Sequence, residues 1–497
     1  MRLLGIDLGT GSVKLVTLDA DGVERAVASE PYALSSPQPG WAEIAPDAWW
    51  LALVRAAARL PADERAQVRA IGFSGQMHGV VLIDAAGRAV RPALLWPDTR
   101  AARFADAADW PDGANPVAPG MAGPLLRWVA AHEPAALRAA RWAVQPKDWL
   151  RVALGGEIAA DPSDACATAL ATPDGAWDAA LLERFGVRRE LFAPARASGA
   201  PCGALAAEPA AALGLPAGVP LATGAADTAC AALGSGLVAD GDALLTTGSG
   251  GQIVVLADRL PAARRGLHRY RAAAGSGYYT MAAMQNVGLA LEAVRGWLGY
   301  ADWPAAYDEA FAQPASERLC FLPYLTGERS PWMNPQARGG WLGLGLGDTR
   351  GAMMRAAFEG VAFALRAGLD AIRATGNPAT GNPAAGAPAA GAPDAARVPV
   401  ASLRLAGGGS VDPRWRQLLA DALDASLDAV DCPNAATRGA ALLAGVAIGH
   451  WREDGLRALA PGASPVAAPR GDAALAVRHA RFVDLYTRTD AWFTMGV

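Results

Sequence analysis

Short apolar runs alternate with turn signals along the first part of the chain. The turn Gly9-Thr10-Gly11-Ser12 separates two such runs, and Asp21-Gly22 is typical of a β-hairpin. A helix is predicted to begin near Pro46, because proline is tolerated in a first helical turn. The predicted strands cover Arg2–Asp7, Val13–Leu18, Val23–Ala28, Val68–Ser74 and Val80–Ile83. Strands that alternate with helices in this way indicate an α/β domain.

A similar pattern occurs half a chain later. Residues Leu244–Leu256 again read as an apolar strand, a Gly/Ser/Thr turn and a second apolar strand, about 240 residues after Leu3–Leu18. This spacing favours two similar domains over a short-period repeat. A chance similarity between two glycine-rich segments explains the pattern equally well at this point.

A third glycine turn, Gly407-Gly408-Gly409-Ser410, follows an apolar run over Leu403–Ala406. Asp412-Pro413 then predicts the start of a helix that continues to Leu423. Upstream of this turn, residues 376–395 repeat the pentapeptides GNPAT, GNPAA, GAPAA and GAPDA. Because proline and glycine at this density cannot sustain a helix or a sheet, we expect a mobile surface insertion there, with no function of its own.

The composition excludes two broad classes of protein. The chain has 497 residues, of which 52% are hydrophobic and 19% are charged. This balance excludes global disorder and is enough for about two or three domains with large cores. Lys and Arg together number 44 against 48 Asp and Glu, which gives a formal net charge of −4. We therefore expect no nucleic-acid partner, since proteins that bind nucleic acids concentrate positive charge.

The five cysteines and five histidines are dispersed along the chain, without CxxC or HExxH spacing. Their distribution argues against a disulfide framework and against a zinc site. Asp7 interrupts the first apolar run, which argues against a signal peptide, and no stretch of about 18 strongly apolar residues is present. We therefore expect a cytoplasmic protein with no membrane partner.

The glycine turns are candidates for binding phosphate. Glycine between strands lets backbone N–H groups converge on an anion without obstruction by a Cβ. None of the three turns is a Walker loop, and the first lacks the dinucleotide fingerprint, so an ordinary hairpin is the simpler interpretation of each turn alone. Asp7 beside the first turn changes this view, because a carboxylate next to phosphate is unfavourable unless a divalent cation such as Mg²⁺ intervenes.

A single carboxylate, Asp227, stands within a segment of small residues, Ala222–Cys230. An unpaired buried aspartate is costly, so its side chain must pair, cap a helix or take part in chemistry. A helix N-cap and a general base with a pKa adjusted by burial are equally good explanations from the local sequence.

Several motifs resemble those of the FGGY family of carbohydrate kinases, and their order follows that family essentially from end to end. The resemblance is carried by Gly5–Thr10, Gln76–Gly79, Leu94–Arg100, Pro146–Leu150, Leu322–Pro331 and Leu405–Ser410. Any one of these motifs is weak evidence, whereas their shared order and spacing are specific. Within the family, the resemblance is strongest to members that phosphorylate D-xylulose.

The resemblance implies a fold and a reaction. The fold is α/β, with two actin-like, ribonuclease-H-like domains around a central cleft. Residues 1–240 would form a sugar-binding domain, and residues 241–497 a nucleotide-binding domain that carries the 376–395 insertion. The implied reaction converts D-xylulose to D-xylulose 5-phosphate with ATP and Mg²⁺. The implied partner is a small-molecule ketose, and a homodimer is compatible with the resemblance.

The resemblance also implies roles for individual residues. Asp227 matches the catalytic base, and Asp7 matches the acidic residue beside magnesium and the phosphates. The positions that match the ketose site are Met77, His78, Trp96 and Asp227 itself. The positions that match the nucleotide-binding turns are Thr10, Gly11, Ser12, Lys14, Gly248, Ser249, Gly408 and Gly409.

The chain departs from the family pattern at a few positions. Gly248-Ser249-Gly250 stands where Gly-Thr-Ser is usual, Ala225-Ala226 where glycines are usual, and Leu125 where a lysine is common. Asp7 and Asp227 are both retained, so an active enzyme is expected. The alternatives are a kinase of the same family for gluconate, ribulose, glycerol or a sugar alcohol, and a non-catalytic actin-like protein that binds nucleotide.

Overall fold

The computed structural model describes residues 1–105, 114–275, 277–312, 314–376 and 398–495. These residues form two compact units. The first unit consists of Met1–Val238, Tyr270–Tyr278 and Asn434–Pro461, and the second of Ala239–Arg269, Tyr279–Pro433 and Gly462–Val497. Of the pentapeptide repeat expected to form a surface insertion, residues 377–395 lie outside the described residues.

The strands are β1 (Arg2–Leu8), β2 (Ser12–Leu18), β3 (Glu24–Pro31), β4 (Glu43–Ile44), β5 (Val68–Gly75), β6 (Val81–Ile83), β7 (Ala93–Leu94), β8 (Trp142–Val144), β9 (Pro201–Ala204), β10 (Pro220–Ala222), β11 (Ala225–Ala226), β12 (Ala243–Thr247), β13 (Gly251–Ala257), β14 (His268–Arg271), β15 (Tyr278–Met284), β16 (Cys320–Leu322), β17 (Gly340–Leu342), β18 (Ser402–Ala406), β19 (Ser426–Val430) and β20 (Ala463–Ala467). The helices are α1 (Pro46–Arg59), α2 (Ala62–Ala66), α3 (Ala122–His132), α4 (Pro134–Ala139), α5 (Pro146–Ala153), α6 (Pro162–Ala165), α7 (Ala179–Phe185), α8 (Ala207–Leu213), α9 (Asp227–Gly234), α10 (Gly288–Trp297), α11 (Trp303–Phe311), α12 (Arg350–Arg373), α13 (Pro413–Leu423), α14 (Ala435–Ala447) and α15 (Ala473–Thr494). Among the described residues, none of these helices combines the length and the apolar character that crossing a bilayer requires.

The main sheet of the first unit has the strand order β3-β2-β1-β5-β10-β9, and the short strand β11 also pairs with β5. The hairpin strands β1, β2 and β3 are antiparallel, whereas β1, β5 and β10 run parallel. The edge strand β9 is again antiparallel to β10. Parallel neighbours of this kind bring the carboxyl ends of β1 and β5 to the same edge of the sheet.

The second unit repeats this arrangement. Its main sheet contains the path β15-β13-β12-β18-β19-β20, with β12 and β13 antiparallel, β12, β18 and β19 parallel, and β20 antiparallel at the edge. The hairpin that the half-chain pattern predicted is therefore confirmed as β12 and β13, and it occupies the same place in its sheet as β1 and β2. Because the two sheets share this strand order, the half-chain pattern reflects two similar domains and is not a chance similarity.

Helix α1 shows how the local sequence fixes an element. Pro46 lies in the first turn, Asp47 provides negative charge near the helix N-terminus, and Arg59 lies in the last turn. Trp49 and Leu53, four residues apart, are both buried in the core that covers the first sheet. The predicted start of this helix is confirmed, as are both predicted bounds of helix α13.

Helix α14 belongs to the first unit although it lies near the end of the chain. A Cβ on Gly5 of β1 would stand 2.0 Å from the carbonyl oxygen of Thr437, and one on Gly72 of β5 would stand 1.9 Å from that of Ala440. The backbone of α14 therefore lies directly on these strands. This packing places Asn434–Pro461 in the first unit, whereas the expected boundary at residue 240 put it in the second domain.

Candidate active site

Three strands bring Asp7, Ser74 and Asp227 together at one edge of the first sheet. Asp7 pairs with Ser74 in the parallel register of β1 and β5. On the other side of β5, Ala225 of β11 also pairs with Ser74, and Ala226 pairs with Gly75. Asp227 comes directly after β11, so the two carboxylates flank the carboxyl end of β5. The sheet register thus assembles a pair of acidic residues that are distant in sequence.

Asp7 is held in a definite orientation and is only partly solvated. The Ser74 hydroxyl donates to Asp7 Oδ1 at 2.7 Å. Burial raises the pKa of Asp7 above its ordinary value, while the hydrogen bond from Ser74 and the charge of Lys14 act in the opposite direction. Lys14 lies opposite Asp7 in the antiparallel pairing of β1 and β2, so a cation and a carboxylate share this edge.

Asp227 is the first residue of helix α9, and Ala226 occupies the N-cap position. The N-cap explanation for Asp227 is therefore wrong by one residue, although its Oδ1 does accept the backbone N–H of Thr228 at 2.6 Å. Burial, followed by the charge of Asp7, raises the pKa of Asp227 to about 7, against the lowering effect of the bonds from Thr228. A carboxylate with this pKa can accept a proton near neutral pH.

Hydrogen bonds to Gly9 fix the first glycine turn, while the space beside Gly11 is open. Gly9 donates to the carbonyl oxygen of Ser12 at 3.0 Å, and the Gly9 carbonyl accepts from the Tyr32 hydroxyl and, at 3.1 Å, from Gln76 Nε2. A Cβ placed on Gly11 would meet no atom within 4 Å. The turn therefore leaves room for an anion beside Ser12, as phosphate binding requires.

The predicted ketose residues lie in two loops of the same unit. Met77 is buried, and His78 has a φ of 77°, a left-handed conformation that is uncommon outside glycine. The Nδ1 atom of His78 lies 2.7 Å from the carbonyl oxygen of Ala167, which fixes the ring. Trp96 is 45% exposed, and its Nε1 donates to Thr10 Oγ1 at 2.8 Å. This bond joins the Trp96 loop to the first glycine turn.

In the second unit, the other two glycine turns follow adjacent parallel strands. Leu245 of β12 pairs with Leu405 of β18, so the turns after these strands lie at one edge of the sheet. The carbonyl oxygens of Gly248 and Ser249 accept backbone N–H groups from residues 287–289, where helix α10 begins. These hydrogen bonds hold the turn after β12 against the first turn of α10.

The turn after β18 is equally well defined. Gly407 has a φ of 94°, which favours glycine, and the N–H of Gly409 donates to the carbonyl oxygen of Thr247 at 3.2 Å. The hydroxyls of Thr247 and Ser410 lie 2.8 Å apart. A Cβ on Gly408 would meet no atom within 4 Å, so the backbone is exposed there. Gly248, Ser249, Gly408 and Gly409 are thus gathered at one edge of the second sheet.

Two supporting residues were not predicted from the sequence. Ser74 orients Asp7, and its signal is its position two residues before Gln76 in a predicted strand. Glu328 is buried and accepts the N–H groups of Gln285 and Arg329 at 2.7 and 2.8 Å, and so supports the segment that leads into α10. Glu328 belongs to the motif Leu322–Pro331, which was noted only for its resemblance.

The donor set around Asp7 suits Mg²⁺ rather than a metal held by protein alone. Among the described residues, no group of three or more His, Cys, Asp or Glu side chains could hold a metal ion. Mg²⁺ commonly uses one or two carboxylates together with substrate phosphates and water. Asp7 lies beside the open first glycine turn, and its charge raises the pKa of Asp227. A divalent cation bound at Asp7 would reduce the repulsion between these two carboxyl groups.

Comparisons with known proteins give consistent results for both parts of the chain. The model of the N-terminal domain of the FGGY family of carbohydrate kinases matches residues 2–234, and the model of the C-terminal domain matches residues 254–448. The chain is 35% identical over 436 residues to a xylulose kinase from Escherichia coli, covering 86% of this chain and 85% of that protein.

Solved structures resemble the whole chain. A xylulose kinase from Brucella ovis is 30% identical with a TM-score of 0.88, and covers 99% of this chain and 100% of its own. A gluconate kinase from Lactobacillus acidophilus, at 22% identity, has a TM-score of 0.85 over 99% of this chain and 98% of its own, and shows the same fold. These matches confirm the expected pair of actin-like α/β domains.

Proposed function

The chain belongs to the FGGY family of carbohydrate kinases, and we propose that its reaction is transfer of the γ-phosphoryl group of ATP to D-xylulose, giving D-xylulose 5-phosphate. Two observations support the choice of sugar: the names of the similar E. coli and B. ovis kinases and the motif Gln76–Gly79. The observation that carries the chemistry is Asp227, whose pKa of about 7 suits a base at the sheet edge shared with Asp7.

In the proposed reaction Asp227 accepts the proton of the terminal sugar hydroxyl as the oxygen attacks phosphorus. The ideal pKa of a general base lies near the working pH, and burial with the charge of Asp7 produces this condition. Met77, His78 and Trp96 would hold the ketose, with the indole of Trp96 against an apolar sugar face. The fixed His78 ring would contribute a hydrogen bond to a sugar hydroxyl.

In the first unit, Thr10, Gly11, Ser12 and Lys14 would bind phosphate oxygens of ATP. In the second unit, the turns with Gly248, Ser249, Gly408 and Gly409 would bind nucleotide. Asp7 would help to hold Mg²⁺, which would supply positive charge to neutralise the phosphate oxygens. Ser74 keeps Asp7 oriented for this purpose through its hydrogen bond at 2.7 Å. Phosphoryl transfer depends mainly on such positioning and electrostatic stabilisation.

The proposal is tested with purified full-length protein and a panel of D-xylulose, D-ribulose, gluconate, glycerol and xylitol, with release of ADP measured by a coupled assay. We expect the highest kcat/KM with D-xylulose, because specificity is a ratio of these values. A higher value with another sugar or polyol would replace the substrate within the same family. Absence of sugar-stimulated ADP release would instead favour a protein that binds nucleotide without catalysis.

Replacing His78 with alanine is expected to raise the KM for D-xylulose about tenfold and to leave the KM for ATP unchanged, because one bond to a sugar hydroxyl is lost. Steady-state kinetics with each substrate varied in turn measures both values. His132→Ala is the matched control, since His132 Nδ1 also lies against a backbone carbonyl, that of Trp128, at 2.9 Å. Equal sugar KM values for the two variants would reduce His78 to a structural residue.

A further inference from the structure

A cluster of ionisable side chains lies buried in the first unit, outside the set of residues that the resemblance assigned. The Lys147 cluster consists of Lys147, Asp148, Arg151, Asp161 and Asp164, and each of these residues is 0% exposed. Lys147 Nζ lies 2.8 Å from Asp148 Oδ1, 2.6 Å from Asp161 Oδ2 and 3.0 Å from Asp164 Oδ2. Buried charges are costly unless they are paired in this way.

The charges of the Lys147 cluster nearly balance. Two cations face three carboxyl groups. Burial raises the pKa of Asp164 well above its ordinary value against the lowering effect of the Lys147 charge, and the charges of Asp161 and Asp148 add to the rise. Burial lowers the pKa of Lys147, but the three neighbouring carboxyl groups outweigh it and raise the pKa overall. The buried charges are thus paired with one another inside the fold.

Ser163 connects this cluster to the residue before Asp227. The Ser163 hydroxyl donates to Asp161 Oδ1, which also accepts the backbone N–H of Ser163 at 2.9 Å. The same hydroxyl oxygen accepts the backbone N–H of Ala226 at 2.9 Å. Ala226 is itself fully buried, so this N–H depends on the Ser163 hydroxyl for its hydrogen bond.

The cluster also holds the segment that precedes Ala226. Arg151 Nη1 donates to Asp148 Oδ1 and to the carbonyl oxygen of Thr223, both at 2.6 Å. A Cβ on Gly75, which pairs with Ala226, would stand 2.8 Å from the Cβ of Lys147, so the cluster lies directly beneath this part of the sheet. The Lys147 cluster and Ser163 therefore fix the backbone from Thr223 to Ala226 at both of its ends.

We propose that Ser163 is a positioning residue, which sets the location of the Asp227 carboxylate by linking the backbone N–H of Ala226 to the buried Lys147 cluster. The inference rests on the proposed function, in which Asp227 is the base. Catalytic groups must be held within a fraction of an ångström of their productive geometry, and a misplacement of about 1 Å costs about 100-fold in rate. The Ser163 hydroxyl, which is itself buried, provides this constraint through the backbone N–H of Ala226.

The test compares Ser163→Ala with Ser198→Ala in the full-length protein, by steady-state kinetics and thermal unfolding. Ser198 is the matched control because its hydroxyl is also buried and bonds the same Asp161 Oδ1, at 3.5 Å, but has no bond to Ala226. We expect Ser163→Ala to lower kcat about 10- to 100-fold, with KM for D-xylulose and for ATP within about twofold of wild type. Ser198→Ala should keep kcat within about twofold of wild type.

Ser163→Cys is prepared in parallel, because a thiol has a similar size and accepts hydrogen bonds only weakly. Its kcat should lie between those of wild type and Ser163→Ala. If Ser163→Ala and Ser198→Ala lose stability equally and have the same kcat, the positioning role is overturned while the kinase function stands. If Ser163→Ala does not fold, a kcat of Ser163→Cys equal to that of Ser198→Ala overturns it. A wild-type protein without sugar-stimulated activity would refute the proposed function, and this role with it.

Discussion

Replacing Asp227 with alanine is expected to lower kcat by about 100- to 10,000-fold while D-xylulose still binds, because the variant loses the general base and keeps the rest of the sugar site. Coupled measurement of ADP release gives kcat, and calorimetric titration gives the affinity for the sugar. Asp227→Asn should show a similar loss. An asparagine oxygen can still accept the Thr228 N–H that Asp227 accepts at 2.6 Å, so only the basic group is removed.

The pH dependence provides a second measurement of the same assignment. Burial and the charge of Asp7 raise the pKa of Asp227 to about 7, so the carboxylate gains a proton as the pH falls through that value. In the wild-type protein kcat/KM should then fall about tenfold for each pH unit below 7, and this acid limb should be absent from Asp227→Ala. Asp178→Ala is the control, because Asp178 also accepts a backbone N–H at a helix start, that of Leu181 at 3.0 Å. Near-normal turnover by Asp227→Ala would overturn the base assignment.

Local patterns were sufficient to predict the strands and turns that build the site. Glycine turns and apolar runs determine short-range structure, so β1, β2 and the repeated hairpin of the second unit were found from the sequence. The packing of Asn434–Pro461 in the first unit was not predicted, because it depends on contacts between distant residues: Gly5 with Thr437, 432 positions apart, and Gly72 with Ala440, 368 positions apart. Its signal was Gly5 and Gly72 within strands, where glycine marks a close approach of another backbone.

The candidate site was predictable where a residue type is unusual in its surroundings. Asp7 and Asp227 are single acids in apolar segments, and both occur at the sheet edge. The local sequence could not distinguish a cap from a base, because both place Asp227 at a helix start. Ser74 was indicated only by its position two residues before Gln76 in a predicted strand, and nothing in the local sequence indicated Ser163. Small hydroxyl residues are common, and the importance of these two comes from partners in other elements.

The rarity of lysine pointed to Lys147, but the local sequence could not explain why a lysine stands there. Lysine occurs only at Lys14 and Lys147 in a chain whose basic residues are otherwise arginine. The structure gives the physical reason at Lys147, whose compact ammonium lies within 3.0 Å of three carboxyl groups at once. A planar guanidinium presents its donors in a fixed fork and does not suit this arrangement. Composition bias had concealed the requirement for lysine.

Replacing Asp7 with asparagine is expected to raise the Mg²⁺ concentration for half-maximal activity about 10- to 100-fold, because loss of a residue that supports a metal site costs about this factor in metal affinity. Titration of activity with Mg²⁺ at fixed ATP and D-xylulose measures this value. The affinity for the sugar should not change. Asparagine keeps an oxygen that can accept the Ser74 hydroxyl, which Asp7 accepts at 2.7 Å, so the strand edge should remain intact.

The control for Asp7 is Asp19→Asn. Asp19 follows β2 at the opposite end of the β1–β2 pair from Asp7, where Leu18 pairs with Leu3. The Asp19→Asn substitution should leave the Mg²⁺ requirement unchanged. The Asp7 charge also raises the pKa of Asp227, so in Asp7→Asn the acid limb should move to lower pH rather than disappear. If the Asp7→Asn variant shows both a shifted acid limb and a raised Mg²⁺ requirement, Asp7 is the metal-binding residue and Asp227 is the base. An unchanged Mg²⁺ requirement would remove Asp7 from the metal site, because its charge would then serve only to raise the pKa of its neighbour.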